Sequence, residues 1–213
     1  YLKQGVITKL NYKQVFSHVE TVTIPGYGDF ESYANRDSLH YKTKYDLSNT
    51  HTVIRGTVRK SGFSEAWNVF VQLGMTSQDK INIVEKDKFF QHLKNLNSKE
   101  IDRKMQYLDL FNEKVTVLKY VSPFDHLSSV LQEKWSLDTN DKDMIVMQHK
   151  IGYWLNESNQ ETQLSMVVKG DDSIHTGMAK TVGLPVFFAC KLLLEDKISL
   201  KGVRIPIHKE IYQ

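Results

Sequence analysis

The sequence has a single cysteine, Cys190, in 213 residues, which excludes an intramolecular disulfide. Cys190 lies in an apolar run, so we expect it to pack as a small hydrophobic residue in a reducing, cytoplasmic environment. The eight histidines show no metal-ligand spacing and one cysteine cannot build a structural zinc site, so we expect no bound metal. No G-x-S-x-G motif is present, which leaves a serine hydrolase without support.

The sequence also lacks a G-x-G-x-x-G fingerprint between a strand and a helix, the usual element for holding a dinucleotide phosphate. Gly26 and Gly28 come nearest, but Glu31 stands where the third glycine belongs, and a turn with positive φ angles explains them better. No stretch approaches roughly 18 consecutive apolar residues, and the N-terminus has no secretory pattern. We therefore expect neither a membrane span nor secretion.

Composition and charge are those of a folded globular protein. Hydrophobic residues make up 40% of the chain, enough for a sizeable core. The 28 basic and 25 acidic residues are interspersed and leave a net charge of +3, so nothing favours a nucleic-acid partner. Because the chain opens on Tyr1 and strand-forming residues follow at once, we expect it to begin within a longer protein.

The first third of the chain predicts strands, one loop and a strand–turn–helix unit. Short β-favouring runs over Gly5–Val22 are expected to pair as strands. The density of turn formers over Thr23–Asp37 favours an irregular surface loop, a common position for binding residues. A strand is predicted over His51–Arg59, and a helix opens directly after it, at Ser61 or Gly62.

Residues 76–135 have a different character. Apolar residues recur there at spacings of three and four, which predicts an inserted helical subdomain. Ser98 and the pair Ser122-Pro123 supply helix-start signals. Alternating apolar residues then predict a strand over Asp143–Trp154, a polar turn and a second strand that pairs with it.

The last part of the chain predicts a long helix over Thr176–Glu195. Pro185 should bend or divide it, because proline in a helix interior costs about 3 kcal/mol. A final strand is expected over Val203–Ile207, before the opening of another helix. The predicted fold is α+β: a mixed, largely antiparallel sheet backed by helices, in which residues 1–75 and 136–213 form one domain and 76–135 the insertion.

Three arginines occupy places where an exposed surface arginine is not the natural expectation. Arg36 lies in the predicted loop, and Arg55 and Arg59 lie four residues apart on one face of a predicted strand. A guanidinium fork suits carboxylate ligands. Spacing alone favours the alternative in which each arginine pairs with a local acid of this chain, such as Asp29, Asp37 or Glu65.

Several segments resemble saccharopine dehydrogenases. Ser32–Ser38 is similar to the family's G-Y-P-N-R-D-S, and Ile54–Phe63 to L-R-G-T-L-R-Y-x-G-F. Asp143–Lys150 and Gly177–Pro185 also resemble family segments, and Gly202–Tyr212 is similar to G-V-x-x-P-x-x-K-E-I-Y. The segments keep the family's order and span nearly the whole chain.

The resemblance implies that Arg36, Thr57, Val58 and Arg59 contact saccharopine, a molecule with three carboxylates. The arginines would serve as bidentate partners for two carboxylates, while Thr57 and Val58 would offer backbone groups or a hydroxyl. This sequence departs from the family at three nearby positions, Ser32, Ala34 and Lys60, where the family has glycine, proline and often an aromatic residue.

The resemblance also implies a reaction: oxidation of saccharopine by NAD or NADP to glutamate and 2-aminoadipate semialdehyde, or the reverse. The cofactor would be bound mainly by a preceding Rossmann domain, with L-saccharopine or glutamate as ligand and a homodimer as possible assembly. His149 and Lys180 lie inside matched segments, but neither is assigned a catalytic role, because such residues more often serve the core or reach solvent.

Two alternatives stay open from the sequence. A related dehydrogenase acting on another conjugate, such as carboxynorspermidine, would need fewer paired arginines. A binding or dimerisation module without catalysis is the second. On the main interpretation, the chain alone should fold and bind but not turn over substrate, because no sequence element holds the cofactor.

Overall fold

The computed structural model describes residues 1–79, 91–92, 94–95, 98–110 and 122–212. Helices and antiparallel strand pairs make up these residues, an α+β architecture that confirms the predicted fold class. They fall into two compact units. The first comprises Tyr1–Thr43 and Leu47–Ser136, and the second Lys44–Asp46 and Leu137–Gln213.

The first unit combines short strands and helices. In chain order they are β1 (Leu2–Lys3), β2 (Val6–Ile7), α1 (Tyr12–Val15), β3 (Val19–Ile24), β4 (Gly28–Ala34), α2 (Leu39–Lys44), β5 (Gly56–Lys60), α3 (Phe63–Gln72), α4 (Lys99–Leu108) and α5 (Pro123–Lys134). Strands β1 and β2 pair with each other, and β3, β4 and β5 form a separate antiparallel sheet in that order.

The prediction of an irregular loop over Thr23–Asp37 was wrong, because most of that segment is strand. The turn formers concentrate in one tight turn, in which Tyr27 N donates to Ile24 O over 2.9 Å and Gly26 and Gly28 take positive φ angles. The residues after the turn form β4, whose Phe30 is 3% exposed. Continuous pairing with β3, from Val19↔Tyr33 to Ile24↔Gly28, makes this segment a strand despite its number of turn formers.

Two neighbouring predictions were right only in part. The expected strands over Gly5–Val22 are interrupted by α1, which Asn11 caps together with Gln14. The expected strand over His51–Arg59 begins only at Gly56, where β5 starts to pair with β4.

The core of the first unit joins α3, α4 and α5. Its buried members include Val69, Phe70, Ile101, Met105, Leu127 and Val130. The helix-start signals are confirmed: Ser98 caps α4, and Ser122 with Asp125 forms a capping box before Pro123 of α5. Residues 80–90 and 111–121, including Phe89, Phe90 and Phe111, lie outside the described residues. The division into 1–75 with 136–213 and an inserted 76–135 subdomain stays a prediction.

The second unit contains a long hairpin and two helices: β6 (Met144–Leu155), β7 (Ser158–Lys169), α6 (Gly177–Leu194) and α7 (Lys209–Tyr212). The predicted pairing of two strands is confirmed by a continuous register from Met144↔Lys169 to Leu155↔Ser158. Asn156 and Glu157 connect the strands with φ angles of 49° and 60°, the backbone that a two-residue hairpin turn of type I′ requires.

Helix α6 begins as predicted, with Thr176 as N-cap, but it is not divided at Pro185. Proline removes one backbone hydrogen bond, and the remaining ladder of this 18-residue helix continues past it. Cys190 on α6 is exposed, so the expectation that it packs inside a core was wrong. It lies on a helix whose only buried residue is Gly177.

The strand expected over Val203–Ile207 is not formed. Val203 is fully exposed, and Ile207 N donates to Ile205 O over 2.8 Å, a tight turn incompatible with an extended strand. The described strands therefore build three antiparallel sheets instead of the expected single sheet. The predicted final helix is present as α7.

Helix α6 is, by length and composition alone, the one described helix that could cross a bilayer. Two lysines, Lys180 and Lys191, interrupt its apolar residues, which is why the sequence shows no unbroken apolar run. Core helices of soluble proteins reach the same length and composition.

Candidate functional site

The loop after β4 carries Arg36 and is held against β5 by backbone and side-chain hydrogen bonds. Asn35 N donates to Arg55 O over 2.9 Å, and Asn35 Nδ2 donates to Thr57 Oγ1 over 2.8 Å. Fully buried Ser38 accepts from Arg55 N over 2.9 Å. Arg36 lies between these anchors in the left-handed region, with φ 60°, and its side chain is exposed.

Strand β5 presents its residues to two opposite faces of the sheet. Thr57 pairs with Tyr33 and Arg59 with Glu31, so these four side chains share one face. Val58 pairs with Ser32 and its side chain lies on the other face. Among the described strands β5 has β4 on one side only, which leaves backbone groups along its other edge.

The Arg59 guanidinium is oriented locally. Its Nη1 donates to Val58 O over 3.0 Å, and its Cζ lies 5.4 Å from the ring centroid of Phe63. Arg55 lies over the Tyr41 ring in the same way, at 5.5 Å. Within the ranges that the structure describes, no ion pair engages either arginine.

Two of the three local acids that the sequence offered as ion-pair partners, Asp29 and Asp37, have other hydrogen-bond partners. Asp29 accepts from the Thr23 hydroxyl over 2.7 Å, and Asp37 accepts from Leu39 N over 2.9 Å. Arg36 too has no ion pair with a described residue. Arg36 follows Asn35 in the chain, and Arg59 is the next residue after Thr57 on the same face of β5, so the two arginines lie one on each side of the Asn35–Thr57 hydrogen bond along the backbone.

Tyr33 adds an aromatic wall and a phenol to this face. Its ring packs on Phe16 with centroids 4.8 Å apart. Burial raises the pKa of Tyr33 above its ordinary value, while the charge of Arg59 and a hydrogen bond with the Thr57 side chain act in the opposite direction. The phenol therefore stays neutral at physiological pH.

Glu31 organises the turn from β5 into α3. Its carboxylate accepts from Gly62 N over 3.0 Å and from Ser64 N, two amides at the start of the helix. Gly62 is the N-cap, with φ 83°, and has no side chain for capping. Glu31 thus supplies the acceptor that Gly62 cannot, and its negative charge lies at the positive end of the α3 dipole.

A cavity of about 500 Å³ lies next to this region, in the size range of small-molecule pockets. Its lining is mainly aromatic and apolar, with Lys60, Arg103 and Lys104 as cations, and includes Phe63, Trp67, Phe70, Met105, Tyr107 and Trp135. Phe63 contacts both this cavity and the Arg59 guanidinium. The cavity and the contributions of Tyr33 and Glu31 could not be predicted from the sequence, because all three depend on strand register and helix packing.

In the second unit, an acidic residue organises the start of α6. Asp143 accepts from Gly177 N over 2.5 Å and from Met178 N over 2.9 Å, and these bonds lower the pKa of its carboxyl group. Lys180 pairs with Asp171 over 2.7 Å, and His149 is exposed on β6. Neither the Lys180–Asp171 ion pair nor the exposed position of His149 indicates a proton-transfer role, so no catalytic residue is assigned.

The chain matches known proteins over its whole length. The family model described as the saccharopine dehydrogenase C-terminal domain matches residues 1–213. Mitochondrial alpha-aminoadipic semialdehyde synthase from Bos taurus is 32% identical over 242 residues, covering 100% of this chain and 26% of that protein. Saccharopine dehydrogenase [NADP(+), L-glutamate-forming] from Saccharomyces cerevisiae is 31% identical, covering 99% of this chain and 53% of that protein.

A solved structure gives the same result. Apo saccharopine dehydrogenase (L-Glu forming) from Saccharomyces cerevisiae matches with a TM-score of 0.82 and 28% identity, covering 99% of this chain and 53% of that one. The chain thus spans between about a quarter and a half of the relatives it matches. Since the family model covers every residue, the chain belongs to the saccharopine dehydrogenase C-terminal domain family.

Proposed function

We propose that this chain is the substrate-binding part of a saccharopine dehydrogenase that oxidises saccharopine with NAD or NADP to glutamate and 2-aminoadipate semialdehyde. The observation that carries the proposal is the pair of arginines, Arg36 and Arg59, which flank the Asn35–Thr57 hydrogen bond without an ion pair to any described residue. Family membership supports the reaction class.

The ligand chemistry follows from the two guanidinium groups. A carboxylate that leaves water needs a charged hydrogen-bond partner, because desolvation of an unpaired charge is costly. Arg36 and Arg59 supply such partners in bidentate form. A tricarboxylate such as L-saccharopine, or its product glutamate, suits this arrangement better than a ligand with a single anionic group.

Thr57 and Val58 support the arginines in different ways. Thr57 anchors the Arg36 loop by accepting from Asn35, and the carbonyl of Val58 accepts from Arg59 and so orients its guanidinium. The Val58 side chain faces away from Arg59, so in this proposal Val58 acts through its backbone. The chain's contribution to catalysis is thus to bind and orient the substrate.

The dinucleotide is proposed to be held by a Rossmann domain outside this chain. Glu31 fills the amides at the β5–α3 turn, so this part of the chain has no place for the pyrophosphate. The name of the yeast relative specifies NADP, and for this protein either dinucleotide is proposed. The cytoplasmic location and the homodimer stay predictions.

The proposal is tested in the full-length enzyme by alanine substitution of each arginine. Arg36→Ala or Arg59→Ala should weaken saccharopine binding by roughly 2–5 kcal/mol, because each removes a charged partner from a desolvated carboxylate. Dinucleotide affinity should change much less. Arg204→Ala, at an exposed arginine of the second unit whose Nε donates to Lys201 O, is the control and should leave saccharopine binding unchanged.

Two results would contradict the proposal. One is equal saccharopine affinity in the wild type and both arginine variants. The other is steady reduction of NAD or NADP by this chain alone in the presence of saccharopine, since the proposal places the cofactor site elsewhere.

A further inference from the structure

Tyr33 lies beside the two residues that the proposed site uses most. It is directly opposite Thr57 in the β4–β5 register, and the next pair on the same face is Glu31 with Arg59. Residues two apart on a strand lie about 7 Å from each other. Tyr33 and Arg59 are diagonal neighbours across the strand pair, about 7–8 Å apart and within reach of long side chains, so one ligand group can contact both the phenol and the guanidinium.

The direction of the Asn35–Thr57 hydrogen bond bears on whether the Tyr33 phenol donates to a ligand or accepts from it. Asn35 Nδ2 donates to Thr57 Oγ1, so the Thr57 hydroxyl retains its own hydrogen for another acceptor. The side chain that it meets across the strand pair is Tyr33. When the phenol oxygen accepts from Thr57, the phenol hydrogen is left for a ligand.

The environment of Tyr33 suits a fixed, neutral donor. Its ring is half-buried and packs on Phe16, which restricts the direction of the hydroxyl. Burial raises the pKa of Tyr33, so the group is not a general base at physiological pH. A neutral donor next to the cation Arg59 matches an anionic acceptor.

We propose that Tyr33 donates a hydrogen bond to a substrate carboxylate that Arg59 also binds, on the face of the sheet where Tyr33 lies directly opposite Thr57. This inference rests on the proposed function of the Arg36–Arg59 site and adds a binding residue to it. Tyr33 would hold the carboxylate in one orientation, which a guanidinium alone does not fix.

The test uses the full-length enzyme with saccharopine and its three monoamides, in each of which one carboxylate is neutral. Tyr33→Phe should raise the KM for saccharopine about tenfold or more, the effect of losing a hydrogen bond to a charged group. The KM for the dinucleotide and the thermal midpoint should not change. For the monoamide at the contacted carboxylate, the rise in KM on Tyr33→Phe should be the smallest of the three, because a hydrogen bond to a neutral amide oxygen is weaker than one to a carboxylate.

Tyr12→Phe is the matched control. Tyr12 is a nearby phenol, 52% exposed, that accepts from Trp67 Nε1 at 3.5 Å, and its loss should not change the KM for saccharopine. Thr57→Val should also raise this KM. The double variant Tyr33→Phe/Thr57→Val should lose less than the product of the single losses, because the two residues are direct neighbours across the strand pair.

The Arg59→Ala variant distinguishes failure of the inference about Tyr33 from failure of the proposed function. If Arg59→Ala raises the KM for saccharopine while Tyr33→Phe does not, the inference about Tyr33 is overturned and the proposed function stands. Equal losses for all three monoamides would also overturn it, since they would show a general structural effect. If neither variant affects saccharopine, the proposed function itself fails.

Discussion

The side-chain amide of Asn35 donates a 2.8 Å hydrogen bond to the hydroxyl of Thr57, joining the loop after β4 to strand β5. The backbone of Asn35 and the side chain of Ser38 add bonds to Arg55 on either side of Arg36. A residue with a left-handed backbone, Arg36, is thereby held in a loop with several anchors. Such a backbone costs about 1–3 kcal/mol and persists where its surroundings determine it.

Asn35→Ala should lower the free energy of unfolding by about 1 kcal/mol, because it removes one half-buried hydrogen bond and leaves the Thr57 hydroxyl without its donor. Denaturant titration of the purified chain measures the change. Asn68→Ala on α3 is the control and should not lower the free energy of unfolding. The Asn68 side chain accepts a hydrogen bond only from Gln72 in the same helix, and alanine is the better helix former. An Asn35→Ala variant as stable as wild type would show that the bond does not anchor the loop.

The sequence was informative where local chemistry decides the structure. Ser98, Ser122 and Thr176 each cap a helix as their hydroxyl groups predict, since a cap needs only residues three positions away. The β6–β7 hairpin could be predicted equally well, because alternating side chains and a polar turn specify it within one segment.

The candidate site could be predicted less well from the sequence, because it depends on contacts between residues that are distant in the sequence. Glu31 caps a helix through amides of Gly62 and Ser64 more than thirty residues away, and the β4–β5 register sets Tyr33 against Thr57. No local pattern encodes either contact. The arginines themselves were found through the resemblance of their segments, while spacing alone favoured local ion pairs that the described residues do not form.

Glu31→Ala should lower the free energy of unfolding by about 1–3 kcal/mol, because two amides at the start of α3 lose a charged acceptor. Glu31→Gln keeps one acceptor oxygen and should lose less. Glu65→Gln in the first turn of the same helix is the control and should cost only about 0.3–1 kcal/mol through the helix dipole. Urea titrations of the three variants rank these losses, and a Glu65→Gln loss equal to that of Glu31→Ala would contradict the capping role.

The pair Asp172 and His175 predicts a pH-dependent contribution to stability before α6. The backbone N–H and side chain of His175 lower the pKa of Asp172 from 3.8 to about 2, and Asp172 raises the pKa of His175 above 6.5. The lowered pKa of Asp172 means that its contribution to stability is present above pH 3.8 and is lost as the pH falls toward about 2. The raised pKa of His175 means that its contribution is present below pH 6.5 and is lost as the pH rises further.

The contribution of this pair should therefore be greatest between pH 3.8 and 6.5. Thermal melts of wild type and Asp172→Asn should differ most in that window, and the difference should shrink on both sides. A difference in melting temperature that is constant from pH 2 to pH 8 would show that the pair does not act through its charges.

Helix α6 contains two residues that oppose helix formation, Gly183 and Pro185. Replacing either with alanine should raise the free energy of unfolding. Gly183→Ala should raise the free energy of unfolding by about 0.5–1 kcal/mol, since an added Cβ meets no atom within 4 Å. Pro185→Ala should raise it by up to about 3 kcal/mol, because it restores a backbone donor and removes a steric clash. Ala189→Gly, the reverse change in the same helix, should lower it by about 1 kcal/mol. Denaturant titrations should give the order Pro185→Ala, Gly183→Ala, wild type, Ala189→Gly, and a destabilising Pro185→Ala would show instead that the proline ring makes contacts that stabilise the fold.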